Sequence, residues 1–388
     1  MPDAAFDPRH PQIRRDPYPA YAALRGRGSV QHVPSAGTWF VADHRRCLSV
    51  LTDARFSAAQ GQQLRLRRTP LPATMLSADP PDHQRLRAAA SPAMEPRALQ
   101  VMTPWLESLI AESVGAAVGT LRSGAAVDLV GQVAQPLAVA VLARFLGLPA
   151  ADLPSFAHWG HAVSVNLDPF ADPDASGAAG EAMHVMLQRF ADLMHRPVDR
   201  HGALTLLARS HADGLVSPSE ALAAAGLLVV GGLEPLAGFV TGLLAVLVTG
   251  PHAGDRDPAR PRSVVEEVLR YDAPIQFMAR RALADVDFGG VVIPQGDHVV
   301  ALLGSANRDP ERFVRADQLD LARRVNPHLS FGAGPHVCLG APLVRLLGDL
   351  VVRAVPADVP RLIVREAELT HAVVPRCHSR LVVAAGAP

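Results

Sequence analysis

The chain has 388 residues, 49% hydrophobic and 19% charged, with 37 basic side chains (all Arg, no Lys) balanced by 37 acidic ones. That composition supports a large core, and zero net charge excludes the basic footprint of a nucleic-acid binder or a polybasic membrane surface. Three widely spaced cysteines make no disulfide framework, so a reducing cytoplasm is the expected location.

The amino-terminal M-P-D-A-A-F-D-P-R-H-P has neither the basic nor the apolar part of a secretory leader. No linker, repeat or low-complexity break follows, which predicts one domain over residues 1–388. Y-P-A-Y-A-A-L-R reads as a helix, S-V-Q-H-V and T-W-F-V-A as a hairpin around P-S-A-G, and H-R-R-C-L-S-V-L-T-D as a second helix. Ala58 to Met75 carries Arg65, Arg67 and Arg68 and reads as a solvated loop or as the wall of a pocket. D-P-P-D-H-Q-R-L-R then starts a helix on its prolines and sets His83 and Arg87 on one face.

From Pro96 to about Ala212 the apolar spacing is helical with short breaks. Asp168 to Gly180, rich in Asp, Pro, Ala and Gly, reads as a loop. His158, His161, His184 and His195 match no zinc spacing. Ala221 to Val248 is apolar nearly all round and long enough to span a bilayer. Gly231-Gly232 followed by Glu234-Pro235 favours a helix buried in the core instead. Proline has no N–H to offer the Gly231 carbonyl, so a kink is expected there.

S-V-V-E-E-V-L-R-Y forms a helix with Glu267 and Arg270 three apart, close enough to pair. Short strands follow, with turns at Gly289-Gly290 and Pro294-Gln295-Gly296, and T-H-A-V-V-P-R-C-H-S-R-L-V-V reads as a closing hairpin. Between them lies P-H-L-S-F-G-A-G-P-H-V-C-L-G-A-P-L-V-R. Cys338 stands there at the mouth of a helix that Pro342 can enter in its first turn. Helix N–H groups and dipole favour a thiolate at such a place. Glycines let the backbone turn tightly, and Phe331 can cover the sulfur. Cys47 and Cys377 read as buried structural cysteines.

F-G-A-G-P-H-V-C-L-G resembles the haem-binding loop of cytochrome P450 enzymes, F-G-x-G-x-H-x-C-x-G, at every fixed position. D-P-P-D-H-Q-R-L-R, the E-x-x-R pair and A-N-R-D-P occur in the family's order, so the resemblance spans the chain. It implies a mainly α fold with a small β region, the cytochrome P450 fold. The implied activity is haem-thiolate oxidation of a small secondary metabolite in a bacterium. Haem b (iron protoporphyrin IX) would be the cofactor, with Cys338 on the iron and Phe331, Gly332 and Gly340 around it. His83, Arg87, Arg280 and His336 would hold the propionates, with Arg281 the competing register for Arg280. Glu267, Arg270 and Arg323 would form a structural set behind the cysteine loop. Leu233, Ile275, Gln276, Phe277 and Val374 are the implied pocket residues. Gly231, Gly232 and Glu234 would line the oxygen and water groove.

The family's threonine in this groove is Pro235 here. Two readings stay open: ordinary monooxygenation with another source of the hydroxyl, or atypical oxidation such as coupling, cyclisation or desaturation. Dioxygen with external electrons, or peroxide, would be the oxidant. A ferredoxin and its reductase are the implied partners, with no nucleic acid, no membrane and a monomeric state. The rival reading is a non-catalytic P450-like protein that assists another biosynthetic enzyme.

Overall fold

The computed structural model describes residues 6–61, 72–168, 173–249, 260–356, 359 and 362–386. Arg65, Arg67 and Arg68 lie outside them. Most of the described chain is helical, and several helices start where their sequence supplies a start signal. Asp43 accepts a hydrogen bond from the Arg46 N–H at 2.9 Å and caps His44–Thr52. Ser217 and Glu220 close a reciprocal capping box ahead of Pro218–Val230, with Pro218 in its first turn.

The apolar stretch forms two helices, Pro218–Val230 and Leu233–Val248, rather than one. Gly231 and Gly232 occupy the break between them. The Gly231 N–H still reaches Leu227 O at 2.8 Å, and the Leu236 N–H picks up Gly232 O at 3.0 Å. Residue 235 would be the donor to the Gly231 carbonyl, and a proline cannot supply it. By length and composition Pro218–Val248 could cross a membrane. Here Leu233, Phe239, Val240, Leu243 and Leu247 are instead buried in the protein's own core.

Asp168 to Gly180 is not a loop throughout, because a helix runs from Pro173 to His195. Pro173 suits its first turn, and the alanines offset the two glycines in helix propensity. The principal core gathers Leu106, Ile110, Leu137, Phe156, Phe190 and Val240 between these helices. Each such side chain stabilises the fold by about 1.5–3 kcal/mol.

The β region is small. β1 (Val30–Val33), β2 (Thr38–Val41), β3 (Phe56–Ser57), β5 (Met278–Ala282) and β8 (His298–Ala301) form one sheet in the order β1-β2-β8-β5-β3. β2 pairs with β8 in parallel, Thr38 opposite His298, and the other pairings are antiparallel. A second core of Val41, Cys47, Val50, Val299 and Ala301 lies against this sheet. β4 (Val127–Asp128), β9 (Leu362–Leu369) and β10 (His378–Ala385) make a three-stranded sheet, so the closing hairpin begins earlier than its sequence suggested. β6 (Val286–Asp287) and β7 (Val292–Ile293) turn at Gly289 and Gly290, both at positive φ.

Candidate active site

Cys338 follows a tight loop and precedes the helix Ala341–Ala354, which has Pro342 in its first turn. Gly332 and Gly334, both at φ 68, let the loop double back. The Cys338 N–H then reaches Phe331 O at 2.8 Å. A side chain at Gly334 would press on Leu51 O and Thr52, so this turn sits against a neighbouring helix. Cys338 is exposed to solvent, although the protein around its sulfur disfavours the charged form. Burial pushes its thiol up, while the N–H groups of Gly340 and Ala341 and the charges of Arg87 and Arg345 pull it down. Of these influences, burial is the largest. A bound metal cation would reverse that balance.

A buried polar frame fixes this loop. Glu267 and Arg270 are both 0% exposed and pair at 2.8 Å. Glu267 also accepts from Arg323 Nε at 2.9 Å, the Asp320 N–H at 2.7 Å and Asn326 Nδ2 at 3.1 Å. Arg270 donates onward to the carbonyls of Asn307 and Ala316. Asn307 in turn accepts the Leu329 N–H at 2.7 Å and donates to Ser330 Oγ, two residues that open the cysteine loop.

A second set joins the same helix to the loop's far side. Glu266 takes Arg345 in two bonds, at 2.7 and 2.8 Å, and His328 at 3.0 Å. Burial works against the Glu266 carboxylate, but Arg345 and His328 prevail and hold it at about 2. The Arg345 guanidinium lies over the Phe331 ring, 4.6 Å from its centre. Sequence reasoning passed over Glu266, Arg345 and Asn307, because no spacing rule links residues so far apart.

Beside the cysteine loop, the rings of His83 and His336 sit 4.1 Å apart. His83 is 2% exposed and Arg280 1% exposed. Neither His83 ring nitrogen has a hydrogen-bond partner, nor has Arg280 Nη2. Burial, with the charges of Arg280 and His83, holds His336 down at about 4. Burial likewise lowers Arg280, to about 10. Arg281 instead bonds Gly296 O from a half-buried position, so Arg280 is the more deeply buried of the two. Several donors left unpaired in a low-dielectric site are a receptor for an anion.

The comparisons with known proteins agree with this geometry. The cytochrome P450 family model matches residues 262–352. Cytochrome P450 monooxygenase PikC of Streptomyces venezuelae is 34% identical over 89% of this chain and 85% of its own length. This chain belongs to the cytochrome P450 family. The crystal structure of CalO2 superposes with a TM-score of 0.88 at 30% identity, covering 98% of this chain and 99% of that one. The P450 enzyme CxnD, described as forming a C–S bond in chuangxinmycin biosynthesis, gives 0.83 at 26% identity over 95% of this chain and 94% of its own. The protein is therefore a monooxygenase-type P450, and its family implies a thiolate-held haem working with dioxygen and reducing equivalents.

The residues present fit that group. Cys338 offers a soft donor with N–H groups beside it, and the orphaned nitrogens of His83 and Arg280 suit the two carboxylates that a haem carries.

The remaining residues sort unevenly in this P450. Gly231 is exposed and Glu234 and Pro235 are half-buried at the helix break. A side chain at Gly232 would meet Leu142 and Leu228 O, so this position lets the helices approach closely. Leu233 is 0% exposed and packs onto Gly160. Ile275 is half-buried on the sheet-side core. Gln276 donates to Ala273 O and packs against Gly304, and both Gln276 and Phe277 line a cavity beside the amino-terminal segment. Val374 is buried at the hairpin turn.

The Glu234 carboxylate pairs with His161 Nδ1 at 2.6 Å. Cys377, expected to be a remote structural residue, is buried, but its sulfur contacts the Glu234 carbonyl at 3.5 Å and sits against Gly238. Nothing in the sequence could bring residue 377 to this helix.

Proposed function

We propose that this P450 oxidises a small secondary metabolite without a helix hydroxyl next to its catalytic acid. Cys338 holds the haem iron, and His83, Arg87, Arg280 and His336 hold the propionates within one haem-thiolate domain over residues 1–388. The haem, once bound, supplies the oxidising chemistry through its thiolate-ligated iron. The protein's part is to fix the sulfur, exclude water and move protons.

Glu266 and Glu267 set the cysteine loop through the contacts described above, so the sulfur is held before any cofactor arrives. Arg345 over Phe331 closes one flank of that loop to water. At the helix break, Gly231 O lacks its helical donor because residue 235 is a proline, and it can accept from a water or a substrate hydroxyl. Glu234 turns its carboxylate toward half-exposed His161, a route by which a proton could reach the break. The next hydroxyl along that helix, Thr241, is committed to Ala237 O at 2.9 Å.

The observation that carries this reading is Pro235 in the first turn of Leu233–Val248, just after the break. It favours atypical oxidation of the coupling, cyclisation or desaturation kind over plain hydroxylation. The C–S bond-forming neighbour supports that direction. Electrons come from a ferredoxin and its reductase approaching the cysteine side.

The test pairs spectroscopy with a variant. The reduced carbon monoxide complex should give the thiolate-type Soret band, and Cys338→Ala should lose it. Pro235→Thr should raise the fraction of reducing equivalents recovered in product by severalfold, as general acid–base assistance does. An unchanged fraction and product distribution would remove Pro235 from the argument. Failure to take up haem would favour the non-catalytic partner.

A further inference from the structure

Arg345 lies in the second turn of the helix that follows the cysteine loop. Its guanidinium is held on two sides. Nε and Nη2 both donate to the Glu266 carboxylate, and the planar group lies 4.6 Å from the centre of the Phe331 ring. A forked bond to a carboxylate and an aromatic face together fix where the positive charge stands. His328 secures the carboxylate in turn. Its Nδ1 accepts the Ser330 N–H at 3.2 Å, which leaves the ring proton on Nε2 to bond Glu266 at 3.0 Å.

The charge is placed to act on the sulfur. Phe331, under the guanidinium, is the residue whose carbonyl accepts the Cys338 N–H. Arg345 favours the Cys338 thiolate, and the thiolate favours charged Arg345. Glu266 reaches the loop through Arg345 and His328, so it both anchors the guanidinium and offsets part of its charge. The Arg345 and Glu266 side chains are 32% and 17% exposed, which leaves their field only partly screened. Beyond them Arg262 grips Asp349, but the Arg262 side chain is 50% exposed and water screens that outer pair more. Adding an electron to a thiolate-held haem makes the centre more negative. A nearby cation therefore favours the reduced form and a nearby anion disfavours it.

We propose that Arg345 and Glu266 are positioning residues that set the reduction potential of the iron held by Cys338. Arg345 raises the potential, and Glu266 fixes Arg345 in place and moderates its charge. This rests on the haem-thiolate reading above and gives the second polar set a role beyond bracing the loop.

Redox titration of the holoprotein with dithionite, followed through the haem absorption at fixed pH and salt, tests this. Glu266→Gln should raise the midpoint potential and Arg345→Gln should lower it. Arg345→Lys, which keeps the charge, should lie closer to wild type than Arg345→Gln. Asp349→Asn, which removes a carboxylate from the outer pair, should shift the potential less than Glu266→Gln. Should Arg345→Gln fail to retain haem, Glu266→Gln combined with Arg345→Gln leaves neither charge unpaired. That double variant should fall back from the raised value of Glu266→Gln toward wild type.

Shifts of the same sign in the two single variants, or no shift in either, would overturn the proposal and leave the pair a scaffold. So would Arg345→Lys matching Arg345→Gln, Asp349→Asn matching Glu266→Gln, or a double variant as high as Glu266→Gln alone. Each of these results is read with the thiolate-type Soret band of the reduced carbon monoxide complex intact. A wild-type protein without that band would instead refute the haem reading, and this proposal with it.

Discussion

Glu267→Gln keeps the shape of the side chain and removes its charge at a site 0% exposed. The carboxylate accepts five bonds, two from Arg270 and one each from Asp320 N, Arg323 and Asn326. An amide keeps one oxygen, enough for two of them, and turns an NH₂ toward donors that had an acceptor. Arg270, also fully buried, loses its counter-charge. Breaking one side of a buried pair costs about 3–5 kcal/mol, whereas replacing both partners by apolar side chains can be nearly neutral. Set against a total of roughly 5–15 kcal/mol, the single change should lower the urea midpoint sharply and reduce haem retention. The double variant Glu267→Met with Arg270→Met should recover part of the loss. Circular dichroism and the reduced carbon monoxide spectrum read the two effects. A single variant within about 1 kcal/mol of wild type, with its haem spectrum intact, would refute the claim that this pair fixes the cysteine loop.

Gly238→Ala should destabilise the protein by about 1–3 kcal/mol, the usual cost of overpacking, because its new methyl group would meet Cys377 Sγ. Cys377→Ala in the same chain should restore most of that in thermal melts, and no rescue would exclude the contact as the cause. Acid should act through Glu266, whose folded pKa of about 2 lies below its ordinary 4.5. A depressed carboxylate contributes stability that is present above pH 4.5 and lost as pH falls toward 2. Arg345→Gln should therefore flatten the stability profile across that window, and a slope equal to wild type would rule out Glu266 as its source.

Much of the site could be read along the chain because its signals are local. Cys338 carries its glycines, its phenylalanine and its helix start within a few residues, and Glu267 and Arg270 lie one turn apart. What escaped was set by tertiary contact. Arg280 and Arg281 look alike in sequence, and only burial separates them. The resemblance implied pocket roles for Leu233 and Gln276, but the sequence did not show that one packs on Gly160 and the other against Gly304. The helix from Pro173 hid behind turn-forming residues whose preferences alanine and neighbouring helices override. The break at Gly231 was legible because proline's missing N–H is a property of the residue itself.

The parallel pairing of β2 with β8 has a consequence for how the molecule is made. A strand near the start of the chain must wait for one near residue 300 before the middle of its sheet is complete. Contacts so distant along the polypeptide form late, since the intervening length must first be ordered. On the ribosome, the early hairpin emerges with its inner edge bare. Until β8 arrives, the edge of β2 that faces it offers unpaired N–H and C=O groups.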